Sequence, residues 1–191
     1  MEPIIIVHGG AGDIPQSRVQ GKLDGVRVAV RDGYHRLRNG GNALDAVEAA
    51  VVSMELDENF NADSLISPHA KMALEQFLKH GEFGRTEIGT SDGHIAVATS
   101  TGGMSGKAVG RIGDTPQIGS GTYADDNIGG VSTTGMTTRL NNTAGAITLS
   151  KTGQVGVHFS SKRMAWAYVR ADKLYYGIEQ GEVLEEENKL K

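Results

Sequence analysis

With 191 residues, a mass of 20.2 kDa and a formal charge of −4, the chain has room for one domain and shows no basic stripe, which argues against nucleic acid and anionic membrane surfaces as partners. The absence of cysteine excludes disulfides, thiolate metal sites and cysteine nucleophiles together. The 27 glycines against 5% aromatic residues suit a fold with many close backbone approaches.

The first apolar run, Ile4 to Val7, reads as a buried strand entering the glycine loop Gly9-Gly10-Ala11-Gly12. It is too short for the apolar core of a signal peptide and has no basic flank, so a cytoplasmic protein is expected. Leu23, Val26, Val30, Tyr34 and Leu37 recur at helical spacing until Gly40-Gly41 stops the pattern. Asn42 then caps a second helix, with Leu44, Val47, Val51 and Met54 as its apolar stripe and Ala43, Ala46, Ala49 and Ala50 allowing close packing. Ser67-Pro68 starts a third helix that carries Met72, Leu74, Phe77 and Leu78 and ends at Gly81.

From about Gly93 the period becomes that of strands, at Ile95 to Thr99, Gly129 to Ser132, Ala146 to Leu149 and Val155 to Phe159. Lys151 to Gln154 joins two of these runs as a hairpin turn, and Ala171-Asp172-Lys173 joins Trp166–Val169 to Leu174–Ile178 likewise. Residues 182–191 are charged with little to bury and read as a disordered tail after a single domain of 1–181. Helices early and hairpins late give an α+β layered fold.

Several signatures nearly occur. Gly103-Met104-Ser105-Gly106-Lys107 lacks the opening glycine and the final hydroxyl of a phosphate loop, since positions 101 and 108 are Thr and Ala. Gly119 to Ala124 fits the loosest dinucleotide pattern but is followed by Asp125-Asp126-Asn127 rather than an apolar helix. The histidines at 8, 35, 69, 80, 94 and 158 show no pair at metal-ligand spacing, and ordinary surface or core roles are the better reading of each. Asn141-Asn142-Thr143 reads as a loop.

What remains is a series of threonine and glycine segments. Ala98 to Gly103 and Val131 to Gly135 each end a strand in hydroxyls, and between them Arg111 and Asp114 place opposite charges three residues apart. A guanidinium grips a carboxylate with two hydrogen bonds and a carboxylate accepts an ammonium, so the pair suits a free amino acid. A surface-turn salt bridge is the competing account of the same spacing.

Val7 to Gly12, Asn42 to Val47 with Asn59-Phe60-Asn61-Ala62, Ala98 to Gly103, Gly110 to Pro116, Gly119 to Asp126 and Gly130 to Gly135 together resemble, in order, the plant-type L-asparaginases and isoaspartyl peptidases. Met164 to Tyr168 and Tyr176-Gly177-Ile178 look like that family's last strands. The resemblance implies a four-layer αββα sandwich of the N-terminal-nucleophile hydrolase type, here with elements missing. It implies autocleavage before a threonine whose freed amine serves as general base and whose hydroxyl attacks the amide of asparagine or of an isoaspartyl dipeptide. Carried over, Arg111 holds the substrate carboxylate, Asp114 its amine, Thr134 and Gly135 the oxyanion, and Thr101 orients the nucleophile, with Asn61 nearby. A homo-oligomer is implied, as are no organic cofactor and an alkali ion, a structural sodium, on backbone oxygens of the loop Leu56 to Ala62, which no side-chain pattern marks.

The chain departs from the family inside the fold. The strand-bearing segment after Ala62 is missing, as is the His-Gly-Glu run after Gly135, and no strand of the form Thr-Val-Gly-Ala-Val-Ala carries a nucleophile. Gly89-Thr90 has the right dipeptide but turns at once through Asp92-Gly93 into the strand leading to Thr101, while Arg85-Thr86-Glu87-Ile88 reads as linker. Thr90 is therefore the candidate nucleophile of a working asparaginase or isoaspartyl peptidase. The alternative is a shortened, inactive member that retains part of the amino-acid pocket as a binding or structural module.

Overall fold

Alternation in the first strand decides the layering. In β1 (Ile4–Gly12), Ile5 and Val7 pack into one apolar cluster while Ile4 and Ile6 pack into another, because successive strand side chains point to opposite faces. The first cluster takes its remaining members from Ile14, from two helices, α1 (Gln16–Arg38) and α2 (Ala43–Glu55), and from β8 (Arg163–Arg170) and β9 (Lys173–Glu179). The second joins Ile147 and Leu149 of β6 (Thr143–Ser150) and Phe159 of β7 (Val155–Phe159) to Met164 and Trp166 of β8. Each fully buried side chain of this size contributes about 1.5–3 kcal/mol by leaving water.

The computed structural model describes residues 2–60, 88–91, 93–101, 112–136 and 143–189, with backbone alone for 88–91 and Met136. A six-stranded antiparallel sheet has the order β10-β9-β8-β1-β2-β3, in which β2 is Ile88–Ser91, β3 is His94–Ala96 and β10 is Leu184–Glu187. A four-stranded antiparallel sheet has the order β4-β5-β6-β7, with β4 at Thr122–Asp125 and β5 at Gly129–Met136. The described layers are thus helices, six-stranded sheet and four-stranded sheet, a mixed α/β architecture. The third helix expected from Ser67 lies outside the described residues.

The helices begin and end where their sequences direct. Asn42 accepts from the Asp45 N–H at 3.0 Å while the Asp45 carboxylate accepts from the Asn42 N–H at 2.9 Å, a reciprocal cap. Gly40, at φ 84°, ends α1 in the left-handed region. Gly33 lets α1, α2 and β1 meet, since a Cβ there would lie 2.7 Å from the Ala46 carbonyl oxygen and closer still to Ile5. This close approach corrects the expected stripe of α2. The buried face is Ala43, Ala46, Val47, Ala50 and Val51, and Leu44 is turned out at 63% exposure because small residues, not a large one, fit against α1.

The strands expected at Val155–Phe159 and in the two late hairpins form, the latter pair turning at Ala171 with φ 53°. Three strands are additional. Ile88 is not linker but opens β2, which bridges β1 and β3. Thr122–Asp125, the discarded dinucleotide pattern, forms β4. Leu184–Glu187, expected to be disordered, pairs with β9, and Glu186 is held by Arg27 and Arg31 of α1. The charged segment orders because its backbone finds an open sheet edge and its carboxylate finds two guanidinium groups.

Candidate functional site

The glycine loop of β1, the C-terminal end of α2, the segment Thr99 to Thr101 that follows β3 and the threonine-rich end of β5 gather around a cavity of about 190 Å³. That is below the range of roughly 300–1,000 Å³ common for drug-sized ligands, which suits one small molecule. Thr101, Asp114, Thr134 and Gly135 all line it, so four of the residues singled out in the sequence converge. Arg111 and Asn61 lie outside the described residues.

The walls are tied together by specific contacts. The Ala11 N–H donates to Thr134 Oγ1 at 3.4 Å, joining β1 to β5 across the cavity. Thr133 donates its N–H to the Gly121 carbonyl at 2.7 Å and its hydroxyl to the same oxygen at 3.0 Å, which pins the loop carrying Asp114 onto β5. Gly121 has φ 79°, and a Cβ there would sit 2.7 Å from Asp114 Oδ2. Ser100 donates to Glu55 Oε1 at 2.5 Å, so the end of α2 is fixed to the segment leading to Thr101.

Behind the glycine loop, Lys22 donates to the Gly9 carbonyl at 3.2 Å and lies 4.5 Å from the centre of the Phe60 ring. Burial, reinforced by Arg18 and opposed by Asp57, lowers the Lys22 pKa to about 8. A Cβ on Gly9 would overlap Phe60, at 2.3 Å from its Cε1. In the cavity wall, His8 Nε2 is 2.7 Å from Ser132 Oγ and His8 Nδ1 accepts from the Gly10 N–H at 3.3 Å. Burial pushes the His8 pKa down to about 4, leaving the ring neutral at physiological pH.

Thr90 falls elsewhere. Its backbone is opposite Ile4 in the β1–β2 ladder, whereas the cavity opens at Gly9 and Gly10. His8, the first residue of β1 to line the cavity, is four residue steps from Ile4, about 13 Å along a strand. The register thus sets the Thr90 backbone apart from the glycine end of β1, because β1 runs antiparallel to β2 and carries its glycines away from Thr90.

His8 and Ser132 are the residues that sequence reasoning passed over. The signal was present in the alternation, since Ile4, Ile6 and His8 share one strand parity, as do Gly130, Ser132 and Thr134, and a polar side chain on an inward face needs a partner.

The asparaginase family model matches residues 1–64 and 79–138, more than half of the chain. The chain belongs to the asparaginase family. This asparaginase-family chain is 32% identical to the probable isoaspartyl peptidase/L-asparaginase of Drosophila pseudoobscura pseudoobscura over 320 aligned positions that span 97% of this chain and 98% of the relative. It is 32% identical over 325 positions to the corresponding protein of Drosophila melanogaster, with 97% of each covered. The human isoaspartyl peptidase/L-asparaginase is 28% identical over 298 positions, covering 94% and 97%. These alignments are far longer than 191 residues, so the relatives carry internal segments with no counterpart here.

The described part of the loop Leu56 to Ala62 does not favour an alkali ion. Its Asn59 carbonyl accepts from Arg18 at 3.1 Å, which sets a guanidinium against an oxygen that a cation would share. Among the described residues there is no group of three or more His, Asp or Glu able to hold a metal, and no helix long and apolar enough to cross a membrane.

Proposed function

We propose that the cavity is the family's amino-acid pocket, that it takes L-aspartate or L-asparagine by their α-groups, and that this shortened chain neither cleaves itself nor hydrolyses the amide. The convergence of Thr101, Asp114, Thr134 and Gly135 on one small cavity carries the reading. Asp114 accepts the ligand ammonium and Arg111 binds its carboxylate, while Thr134 and Gly135 face the side-chain amide. Thr101 and Thr134 survive as the pocket's hydroxyls, while the Thr90 backbone stands opposite Ile4, about 13 Å along β1 from His8. Without a threonine amine and hydroxyl at the carbonyl, only weak catalysis from the oxyanion groups is left, since such groups act as a unit.

The helix–sheet–sheet arrangement supports a four-layer αββα sandwich with elements missing, in a single domain to which β10 also belongs. A cytoplasmic homo-oligomer without organic cofactor completes the reading.

The second reading is a working asparaginase or isoaspartyl peptidase, favoured by the names of the relatives along the whole alignment. Intact-mass spectrometry with ammonia release from asparagine separates the two. A single species of 20.2 kDa with no ammonia is expected. Fragments of 89 and 102 residues, with ammonia release abolished by Thr90→Ala, would establish the enzyme instead.

A further inference from the structure

Between the glycine loop and β5 lies a polar contact that the amino-acid clamp does not use. His8 closes a cavity wall, whereas Ser132 is wholly buried and lines no part of the cavity. Ser132 stands in the middle of β5, two residues before Thr134, with its backbone opposite Ile147 on β6 and Thr122 on β4. That strand is paired along both edges. The glycine loop lacks a continuous ladder and is held by single contacts, Lys22 on the Gly9 carbonyl and the Ala11 N–H on Thr134 Oγ1. Gly10 adopts φ 85°, and the β1–β8 ladder is irregular between His8 and Ala11.

We infer that Ser132 is a positioning residue of the pocket, acting through a neutral His8 that carries its proton on Nε2 and so holds the Gly9-Gly10 turn against β5. The proton assignment follows from the contacts. Nδ1 accepts the Gly10 N–H, so in a neutral ring the hydrogen resides on Nε2, which donates to Ser132 Oγ. A protonated ring would need to donate from Nδ1 and would set its N–H against that of Gly10. The turn would then lose its hydrogen bond, and the pocket would lose the wall that Gly9 and Gly10 form. Among the described residues, the charged groups that face this assembly are Glu55 from α2 and Asp114 from its loop, which line the same cavity, and Lys22 from α1, which binds the Gly9 carbonyl. Lys22 opposes a second positive charge and the two carboxylates favour one, but the low pKa of His8 is caused by burial.

The inference rests on the pocket reading only in its ligand arm. Long-range ¹⁵N–¹H correlation on the full chain, labelled at histidine, reports the tautomer without any substitution. His8 should show the Nε2–H pattern and keep it from pH 8 to about pH 5. An Nδ1–H pattern, or titration near the ordinary value of about 6.5, would overturn the assignment. Ser132→Ala removes one oxygen and should return the ring toward a mixture of tautomers; Ser132→Thr, which keeps a hydroxyl, should restore the wild-type pattern. In the ligand arm, calorimetry with L-aspartate should show about tenfold weaker binding to Ser132→Ala than to the wild type, with restoration in Ser132→Thr. Equal affinity of wild type and Ser132→Ala would refute the positioning role. A wild type that shows the Nε2–H pattern but no aspartate binding would instead sink the pocket reading and leave the brace in place.

Discussion

Replacing Gly121 by alanine tests whether Asp114 is the ammonium acceptor, and Gly119 supplies the control. Both glycines are in the left-handed region, at φ 79° and 75°, so alanine at either strains the backbone by about 1 kcal/mol. Their surroundings differ. A Cβ at 119 meets nothing within 4 Å, whereas one at 121 lies 2.7 Å from Asp114 Oδ2 and 3.3 Å from its Cγ. The carboxylate must therefore swing away in Gly121→Ala and stay in place in Gly119→Ala. A hydrogen bond to a charged group is worth about 1.5–3 kcal/mol. Aspartate affinity should accordingly fall about 10- to 100-fold in Gly121→Ala and hold in Gly119→Ala. Urea unfolding should show both variants destabilised by about 1 kcal/mol, with somewhat more loss at 121. Calorimetry beside those curves separates strain from function. If the two variants bind aspartate equally, Asp114 does not hold the ligand, however much stability each has lost.

Acidification tests the burial of His8. Its folded pKa is about 4 against an ordinary 6.5, so below pH 6.5 the unfolded chain takes up a proton that the folded ring refuses. Stability should fall from pH 6.5 toward 4 by about 2–3 kcal/mol on this account, and the difference curve against His8→Gln in urea should show that loss. Lys22 acts in the alkaline range. With its folded pKa near 8 and the ordinary value at 10.5, the unfolded chain binds the extra proton between those limits. Raising the pH through that window should therefore add about 2 kcal/mol of stability in the wild type and none in Lys22→Met. Gly9→Ala forces its methyl into Phe60 and should cost about 1–3 kcal/mol by the same unfolding assay; no loss would mean that the ring moves freely.

Much of the core was legible because it rests on period. The run Ile4 to Val7 alternates between two clusters, and the helical spacing of Leu23, Val26, Val30, Tyr34 and Leu37 coincides with the buried face of α1. The short polar strands were not. Thr122–Asp125 and Leu184–Glu187 bury little, so their pairing depends on a neighbouring edge being available, which is a property of the assembled sheet rather than of either segment. Leu44 misled for a related reason. Helical period places it on a plausible stripe, but which stripe faces inward was decided by the glycine at position 33 on the other helix. In the pocket, hydroxyls at strand ends were readable, while the partnership of His8 with Ser132 spans 124 residues and requires β1 to face β5.

The placement of β2 separates what holds the sheet from what holds the cavity. Ile88, Gly89 and Thr90 pair with Ile6, Ile5 and Ile4, and Gly89 to Ser91 pair with Ala96 to His94, so β2 keeps β1 and β3 hydrogen-bonded within one sheet. That continuity is what the backbone requires, since buried amide groups without partners would each cost about 1–3 kcal/mol. It is satisfied by the first half of β1. The cavity is built on the second half, at Gly9 and Gly10, together with β5 and the end of α2, and these walls are joined by Thr134, Thr133 and Ser132. The contacts that hold the sheet and those that hold the pocket are therefore separable.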